Sequence, residues 1–394
     1  MRFLAAVFVC LSFVHGAGAV AGVSTNTGVN EDVHFLRNIM KTASEADDTF
    51  SRVSVIKGSA SHLALIPGDS GVIVIALDDQ GRLTALNRGD DSGKVLWYVA
   101  LADGRRPAYS VSLLYSQGVI LCSIDNVLYG LDPGTGQVKW KSVLRNFLGG
   151  DLVLLNEGQS VAAFTIDGYL YVFDVGTGGL LWHREETGVQ VRTRSDLSVA
   201  YSADKHFVVV VLPDGRVLCL DSYSGDQMWG STLNKVSEGL VGRVNISPVI
   251  VGNWVFAADS DGALVGINLT TGESQVAGVL GVKGISKVDE ESVFVVTGGD
   301  ELLAIDAESK THLWKLSLKS FRNRNGLRWN SPIMVGDKLW LMSSEGHFLG
   351  INAFSGALEE SYLIPGMGVF SRTPLHVAST VYAAAGRRGL IVIS

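Results

Sequence analysis

The stretch that decides the fold is Thr165–Trp182, TIDGYLYVFDVGTGGLLW. Asp167-Gly168 predicts a tight turn, because glycine accepts the positive φ that such a turn requires. Tyr169–Asp174 is a run of mostly aromatic and branched residues, which is typical of a β-strand. Thr177-Gly178 predicts a second turn, and Trp182 ends another short strand. The stretch therefore predicts part of an antiparallel sheet.

The same pattern of turn, strand, turn and closing position recurs along the chain. The recurring stretches are Gln80–Trp97, Asp125–Trp140, Asp214–Trp229, Asp261–Val276, Gly299–Trp314 and Glu345–Glu360. Their turns follow one another at intervals of about 45 residues, a period that with four short strands per unit indicates a β-propeller. The tryptophans at the closing position are expected to pack between neighbouring blades.

The number of blades depends on the two ends of the chain. Thr373–Ser394 supplies three strands of a last copy, and Arg52–Ile56 is a surplus strand at the beginning. Pairing the two would leave no exposed edge in that blade. We therefore predict an all-β fold, an eight-bladed β-propeller of four-stranded antiparallel blades, with the last blade closed by an N-terminal strand. Seven blades with an irregular tail is the alternative.

The first residues have the features of an export signal. Arg2 supplies a positive charge, Phe3–Val14 an apolar core, and Ala17-Gly18-Ala19 a small-residue cleavage site. We expect residues 1–19 to be a signal peptide, 20–50 a lead-in segment and 51–394 the propeller. The lead-in is either a short helix capped by Asn30 or disordered. Cys10 lies deep in the apolar core after Val9, which argues against lipid attachment there.

Charge and motifs exclude several classes of function. The net charge of −7 is unfavourable for binding nucleic acid. The sequence has no His-x-x-x-His pair, no Gly-x-Ser-x-Gly elbow and no Asp-x-Asp-x-Asp loop for calcium. Cys122 and Cys219 are expected to be buried thiols rather than a disulfide. We therefore predict a protein that is not an enzyme and has no metal, cofactor or small-molecule substrate.

The repeat resembles the quinoprotein-type propeller repeat, strand–DG–L-x-x-L-D-x-x-T-G-x-x-x-W. Quinone-dependent dehydrogenases of this type have a vicinal cysteine pair, and this chain has no adjacent cysteines. The resemblance to the BamB family extends over nearly the whole mature chain. It includes the export signal, Asn30–Asp32, the strand starts Ser247-Pro248, Ser331-Pro332 and Thr373-Pro374, and the turn Ser344–Gly346.

This resemblance implies a function as a scaffold. BamB proteins are non-enzymatic subunits of the machinery that inserts β-barrel proteins into the outer membrane, and they dock on the periplasmic POTRA domains of BamA. A similar protein would lie in the periplasm, peripheral to the inner leaflet of the outer membrane, with a BamA-like partner and unfolded outer-membrane proteins as clients. A quinoprotein-type redox enzyme is the alternative, and strand addition of a client at a blade edge is a third hypothesis.

The family docks through two neighbouring inter-blade connectors. In this chain the first connector is Gly188–Asp196, where the family has two apolar residues followed by arginine. Val191 matches the first apolar residue, Thr193 replaces the second, and Arg194 matches the arginine. The second connector is Arg243–Pro248, where Arg243 and Asn245 replace the two acids of the Asp-Val-Asp motif in the family.

Physical reasoning points to the same two connectors. They leave consecutive blades at the same end, so their side chains can converge on one partner. Arg192 and Arg194 provide donors suited to carboxylates, while Val191 provides an apolar anchor. The predicted partner-binding residues are Val191, Arg192, Thr193, Arg194, Arg243 and Asn245. The alternative interpretation is that these connectors are ordinary polar loops.

Overall fold

A computed structural model of the 394-residue chain provides the fold. It describes residues 9–10, 53–56, 60–68, 71–87, 94–102, 105–185, 198–212, 214–233, 246–259, 261–287, 291–321, 329–335, 338–363, 374–377, 380–385 and 389–393. Apart from two short 3-10 turns at Asn156–Gly158 and Lys319–Phe321, the regular structure of this part is β-strand.

The first half of the strands forms blades 1 to 4. Two strands, β1 (Val9–Cys10) and β2 (Val53–Ile56), precede them. Blade 1 has β3 (His62–Gly68), β4 (Gly71–Leu77), β5 (Arg82–Asn87) and β6 (Val95–Ala100). Blade 2 has β7 (Val111–Ser116), β8 (Val119–Ile124), β9 (Val127–Leu131) and β10 (Val138–Val143). Blade 3 has β11 (Val153–Leu155), β12 (Ser160–Phe164), β13 (Tyr169–Asp174) and β14 (Leu180–Glu185). Blade 4 has β15 (Ser198–Ser202), β16 (Phe207–Val211), β17 (Arg216–Asp221) and β18 (Gln227–Thr232).

The second half of the strands forms blades 5 to 8. Blade 5 has β19 (Val249–Val251), β20 (Trp254–Ala258), β21 (Leu264–Asn268) and β22 (Ser274–Val276). Blade 6 has β23 (Val282–Lys287), β24 (Ser292–Thr297), β25 (Glu301–Asp306) and β26 (His312–Ser317). Blade 7 has β27 (Ile333–Val335), β28 (Lys338–Met342), β29 (His347–Asn352) and β30 (Leu358–Leu363). Blade 8 has β31 (Leu375–Val377), β32 (Thr380–Ala384) and β33 (Leu390–Ile393).

These sheets confirm the predicted eight-bladed β-propeller of four-stranded antiparallel blades. In each of blades 1 to 7, strands adjacent in sequence are neighbours in the sheet. The predicted strand Tyr169–Asp174 is β13, and the turn before it has Gly168 at a φ of 88°. Its pairing with β14 shifts register between Val172 and Phe173, an irregularity that recurs between the third and fourth strands of most blades.

The eighth blade joins the two ends of the chain. Strand β2 pairs antiparallel with β33, with Val53 opposite Ile393 and Ile56 opposite Leu390. This confirms that an N-terminal strand closes the last blade, and the alternative of seven blades is wrong. Strand β1 pairs parallel with β2, which places Val9 opposite Val55. The boundaries predicted for the signal peptide and the lead-in stay predictions, since residues 11–52 lie outside the described part of the chain.

The chain divides into two compact units. One unit, residues 1–105 and 323–394, contains blades 1, 7 and 8; the other, residues 106–322, contains blades 2 to 6 and is called the central unit below. In the first unit, Trp340 and Phe348 of blade 7 pack in one apolar cluster with Ile391 of blade 8. Another cluster joins Val392 of blade 8 to Val74 of blade 1.

The core of the central unit lies between its blades. Along β12, Val161 and Ala163 pack in a cluster with blade 2, whereas Ala162 and Phe164 pack in a cluster with blade 4. Because successive side chains of a strand point to opposite faces, each sheet must be apolar on both faces. This arrangement accounts for the continuous apolar runs in the second strands and for the high hydrophobic content of the chain, 47%.

A tryptophan from the fourth strand of a blade contacts the next blade. Trp182 Nε1 donates to the carbonyl oxygen of Ser222 at 3.0 Å, and Trp229 Nε1 donates to that of Leu269 at 2.8 Å. The Trp182 indole also covers Gly225, where a Cβ atom would lie 2.7 Å from the ring. The predicted packing of these tryptophans between blades is therefore confirmed at Trp182 and Trp229.

The boundary between blades 5 and 6 has a different contact. Blade 5 has Val276 at the closing position, and its side chain is exposed. In blade 6, Lys310 takes the turn position that glycine holds in the preceding blades, at a φ of 58°. The Lys310 ammonium lies over the ring of Trp254, and Trp254 Nε1 donates to Glu308 Oε2 at 2.8 Å. An indole still joins these two blades, but it comes from the second strand instead of the fourth.

We expect Trp229→Ala to lower the free energy of unfolding by about 2–3 kcal/mol, because a half-buried indole and its hydrogen bond to Leu269 are lost. Urea-induced unfolding measures this change. Met228→Ala is the matched control, since Met228 precedes Trp229 on the same strand and is exposed. A surface change of that kind should stay within about 0.5 kcal/mol. Equal losses for the two variants would contradict the role given to Trp229.

The turn Asp174–Gly178 provides a prediction about pH. The Thr177 hydroxyl and amide donate to Asp174 Oδ1 at 2.7 and 2.8 Å, and the hydroxyl is the main cause that holds the pKa of Asp174 below its ordinary value. An aspartate with a lowered pKa in the folded state contributes stability above its unfolded pKa, and this stability is lost as the pH falls through the folded pKa.

We therefore expect Thr177→Val to raise the pKa of Asp174 toward its ordinary value, as measured by NMR titration of its side-chain carboxyl carbon. Thr135→Val is the control, because Thr135 makes the corresponding hydrogen bonds to Asp132 in blade 2. It should raise the pKa of Asp132 and leave that of Asp174 as it is. An Asp174 pKa that does not change in Thr177→Val would refute this account of the turn.

Candidate functional site

The connectors between blades of the central unit begin beside the turns that join second and third strands. The amide of Leu144, just after β10, donates to the carbonyl of Asn126 in such a turn at 2.7 Å. In blade 4 the amide of Leu233 donates to Gly215 at 2.8 Å, and in blade 6 that of Leu318 donates to Asp300 at 2.8 Å. These turns and connectors define one end of the central unit, called the connector rim below. Loops on a rigid scaffold are the usual place for binding residues.

The predicted partner-binding residues belong to the two connectors that flank blade 4. Val191, Arg192, Thr193 and Arg194 fall in 186–197, and Arg243 and Asn245 fall in 234–245; both segments lie outside the described residues. The strands that flank them are described, so the bases of both connectors can be examined. The side chains at these bases determine what surface adjoins the connectors.

The base of the first connector is a polar network on blade 3. Arg145 Nε lies 3.6 Å from Asp167 Oδ2, and its guanidinium lies 4.6 Å from the centre of the Tyr169 ring. Arg145 also donates from Nη1 to the Tyr169 hydroxyl. Tyr169 in turn hydrogen-bonds Glu185, an interaction that raises the pKa of Tyr169. Because Glu185 ends β14, the network extends from the blade 2–3 connector to the last residue before the segment 186–197.

The turn that begins this network is itself held by side chains. Thr165 Oγ1 donates to Asp167 Oδ1 at 2.6 Å and to the carbonyl of Tyr169 at 3.1 Å. The amide of Gly168 donates to the Thr165 carbonyl at 3.0 Å. Asp167 therefore presents its second carboxylate oxygen to Arg145 from a fixed turn, and the guanidinium is positioned before any partner arrives.

The base of the second connector is more apolar. Leu233, which follows β18, is buried, and Ile246 packs partly buried against the cluster shared by blades 5 and 6. An ion pair lies beside it, with Arg216 Nε 2.7 Å from Asp214 Oδ2. Both ends of the segment 234–245 are thus anchored in the core, which fixes where this connector leaves and re-enters the blades.

Sequence reasoning did not identify Arg145 or Tyr169 as residues of this rim. One available signal was the alternation of aromatic residues along β13, since Tyr169, Tyr171 and Phe173 share one face and stack with ring centres 5.9 and 6.0 Å apart. Arg145 had no local signal. Its partners are 22 and 24 residues further along the chain, in the next blade.

A separate cavity of about 280 Å³ lies where blades 5 and 6 meet, at the hairpin Gly252-Asn253. Its lining includes Trp254 and the carboxylates of Glu291, Asp306 and Glu308. The Asp306 carboxylate accepts hydrogen bonds from Ser309, whose hydroxyl lowers the pKa of Asp306. The Asp306 carboxylate therefore stabilises the turn that follows β25, as the Asp174 carboxylate does in blade 3.

The cysteines of blades 2 and 4 lie in the middle strands of their sheets. Cys122 in β8 and Cys219 in β17 are buried and free, as predicted, and burial raises the pKa of the Cys219 thiol to about 12. Across the described ranges, no group of three or more His, Cys, Asp or Glu side chains is placed to hold a metal ion. Nor does a helix among those residues have the length and apolar character needed to cross a membrane.

Comparison with known proteins identifies the family. The sequence profile of a PQQ-like repeat family described as "Outer membrane protein assembly factor BamB" matches residues 79–286 and 279–394. The BamB protein of Yersinia pestis is 25% identical over 312 residues, which cover 73% of this chain and 76% of that protein. The BamB protein of Escherichia coli strain K12 is 28% identical over 303 residues, covering 74% of each.

Solved structures agree on the fold. The crystal structure of BamB from Moraxella catarrhalis has a TM-score of 0.64 at 18% identity and covers 86% of this chain and 97% of that one. The C-terminal WD40 domain of Sif2 gives a TM-score of 0.61 at 12% identity, so this likeness concerns the propeller architecture alone. Since the family profile matches most of the sequence, the chain belongs to the BamB family of outer membrane protein assembly factors.

Proposed function

We propose that this protein is a non-enzymatic scaffold subunit of the complex that assembles β-barrel proteins into the outer membrane. The observation that carries the proposal is the match of the BamB family profile over residues 79–394. The relatives are named assembly factors, which supports a role in assembly rather than in catalysis. The partner we propose is a BamA-like outer-membrane protein, contacted through its periplasmic POTRA domains.

The proposed docking residues are on the connectors that flank blade 4. Val191 would serve as an apolar anchor, with Arg192 and Arg194 as donors to carboxylates and Thr193 between them. Arg243 and Asn245 would contribute from the second connector. The strands that flank both connectors belong to the central unit, and this supports placing the two connectors at one rim.

The proposed location is the periplasm, at the inner leaflet of the outer membrane. Arg2, the apolar run Phe3–Val14 and the small residues Ala17-Gly18-Ala19 support export. Unfolded outer-membrane proteins are the proposed clients. In the central unit, the fourth strand of each blade pairs on one side only within its sheet, which leaves a strand edge of the kind that can accept a client strand.

A tagged copy purified from mildly solubilised envelopes should recover a BamA-like protein, identified by mass spectrometry after chemical cross-linking. The control is the same purification from cells with an untagged copy. Cross-links from the partner should fall in its POTRA domains. Recovery of other proteins without a BamA-like protein would refute the proposed complex.

We expect Arg194→Glu to weaken binding to the purified POTRA domains by about 1–3 kcal/mol, because a guanidinium at the interface is replaced by a carboxylate. Isothermal titration calorimetry measures the change. Lys205→Glu is the matched control, since Lys205 contacts Thr270 at the opposite end of blade 4. An Arg194→Glu affinity equal to that of Lys205→Glu would remove this residue from the docking site.

A further inference from the structure

Three exposed side chains and the half-buried Phe147 form a patch on the connector rim at blades 2 and 3. Arg106 and Tyr109 lie on the segment that enters blade 2, and Arg145 and Phe147 lie on the connector that enters blade 3. The rings of Tyr109 and Phe147 stack with centres 4.9 Å apart, and the Arg106 guanidinium lies 4.7 Å from the centre of Tyr109. These four residues are called the rim patch.

The backbone of the rim patch is fixed by the turns beneath it. The amide of Tyr109 donates to Asp125 Oδ1, and the amide of Asp125 donates to the carbonyl of Ser110 at 2.8 Å. On the other side, the amide of Ile166 donates to the carbonyl of Phe147 at 2.9 Å. Both segments are thus hydrogen-bonded to the turn of the blade that they enter. Because this surface is already ordered, the binding of a partner would cost little of its conformational entropy.

The charge that the rim patch presents to solvent is positive. Arg106 pairs with Asp125 at 3.2 Å, and Arg145 pairs with Asp167 at 3.6 Å. The arginine side chains are 56% and 62% exposed, whereas their aspartate partners are only 19% and 26% exposed. The carboxylates therefore orient the guanidinium groups from below, and the groups that a partner meets are cationic.

The composition of the rim patch fits a protein interface. Tyrosine and arginine are the residues that most often dominate binding energy at interfaces, and Tyr109 is 54% exposed. A rigid aromatic ring with a guanidinium beside it offers apolar area and directed donors at the same point. Carboxylates are the groups that such donors bind best.

The rim patch also adjoins the first proposed docking connector. Arg145 contacts Tyr169, and the Tyr169 hydroxyl hydrogen-bonds Glu185, the last residue of β14 before the segment 186–197. A partner that covers the base of this connector would therefore meet Arg145 next, and the rest of the rim patch beyond it.

We propose that the rim patch is a second contact surface for the partner of the assembly complex, and that this partner presents an acidic surface to it. This inference rests on the proposed function. Blades 2, 3 and 4 would then contact one protein along a continuous part of the connector rim.

An acidic protein suits the rim patch better than an anionic bilayer does. Binding to a membrane surface usually needs a cluster of several basic residues or an inserted apolar helix. The rim patch has two arginines, each tied to an aspartate, and the whole chain carries a net charge of −7. Binding to a bilayer is therefore an outcome for the test to detect and not the proposal.

The test measures binding of the purified full-length protein to the POTRA domains of the BamA-like protein from the same organism, by surface plasmon resonance at low and high salt. We expect Arg106→Glu/Arg145→Glu to weaken binding by about tenfold or more, mainly through slower association, and to reduce its salt dependence. Tyr109→Ala, which introduces no new charge, should weaken binding by about fivefold.

Two control variants carry changes of the same kind at the opposite end of the central unit, one reversing a single positive charge and one removing a tyrosine ring. Lys139 pairs with Asp132 on blade 2, and Tyr223 is exposed on a turn of blade 4. Lys139→Glu and Tyr223→Ala should keep the affinity within about twofold of the wild type, as most surface changes outside an interface do. Circular dichroism and thermal unfolding establish that each variant is folded.

The outcomes separate this inference from the proposed function. Wild-type binding that is unchanged in Tyr109→Ala and in the double variant, but is weakened by Arg194→Glu, would overturn the rim patch and leave the proposed function in place. A wild-type protein that does not bind the POTRA domains would overturn both. A third outcome is that the double variant no longer binds phosphatidylglycerol vesicles that the wild type binds, but still binds the POTRA domains as the wild type does. This outcome would assign the rim patch to lipid and also overturn the inference.

Discussion

The central unit depends on a contact between an indole and a glycine of the next blade. The tryptophan needs an acceptor for its N–H group, and a carbonyl of the neighbouring blade supplies it, as with Trp182 and Ser222. The glycine leaves room for the flat ring, as Gly225 does, and also has the positive φ that its turn requires. One contact therefore specifies the turn, the distance between two sheets and the register of their packing. Neither residue can change alone without a cost at the other.

The boundary between blades 5 and 6 illustrates this coupling. Val276 replaces the tryptophan, and Lys310 occupies the glycine position of the following turn. A lysine side chain there would collide with an indole from blade 5, but with valine opposite, it is free to lie over Trp254 instead. Glu308 accepts the hydrogen bond of that indole. The two departures from the repeat thus belong together, and the contact is rebuilt from a different strand.

The features that sequence could predict are those encoded within one repeat. Turn glycines, alternating strands and closing tryptophans lie within some 20 residues of each other, so the blade count and the β2–β33 pairing followed from the pattern. The network around Arg145 could not be predicted, because it joins a connector to the turn and third strand of the next blade through side chains of no repeated type. The resemblance to a family located the proposed docking connectors. Their residues lie outside the described part of the chain, so Arg194 and its neighbours stay predictions.

The pairing of β2 with β33 has a consequence for how the protein is made. The two strands are separated by about 340 residues, so β2 leaves the ribosome long before its partner exists. Until β33 is synthesised, β2 lacks its antiparallel neighbour in blade 8, and an apolar strand with an open edge is of the type that aggregates or recruits chaperones. Blade 8 can therefore close only after β33 has been synthesised. A chain cut short before Leu390 leaves both β2 and β32 without the strand that lies between them.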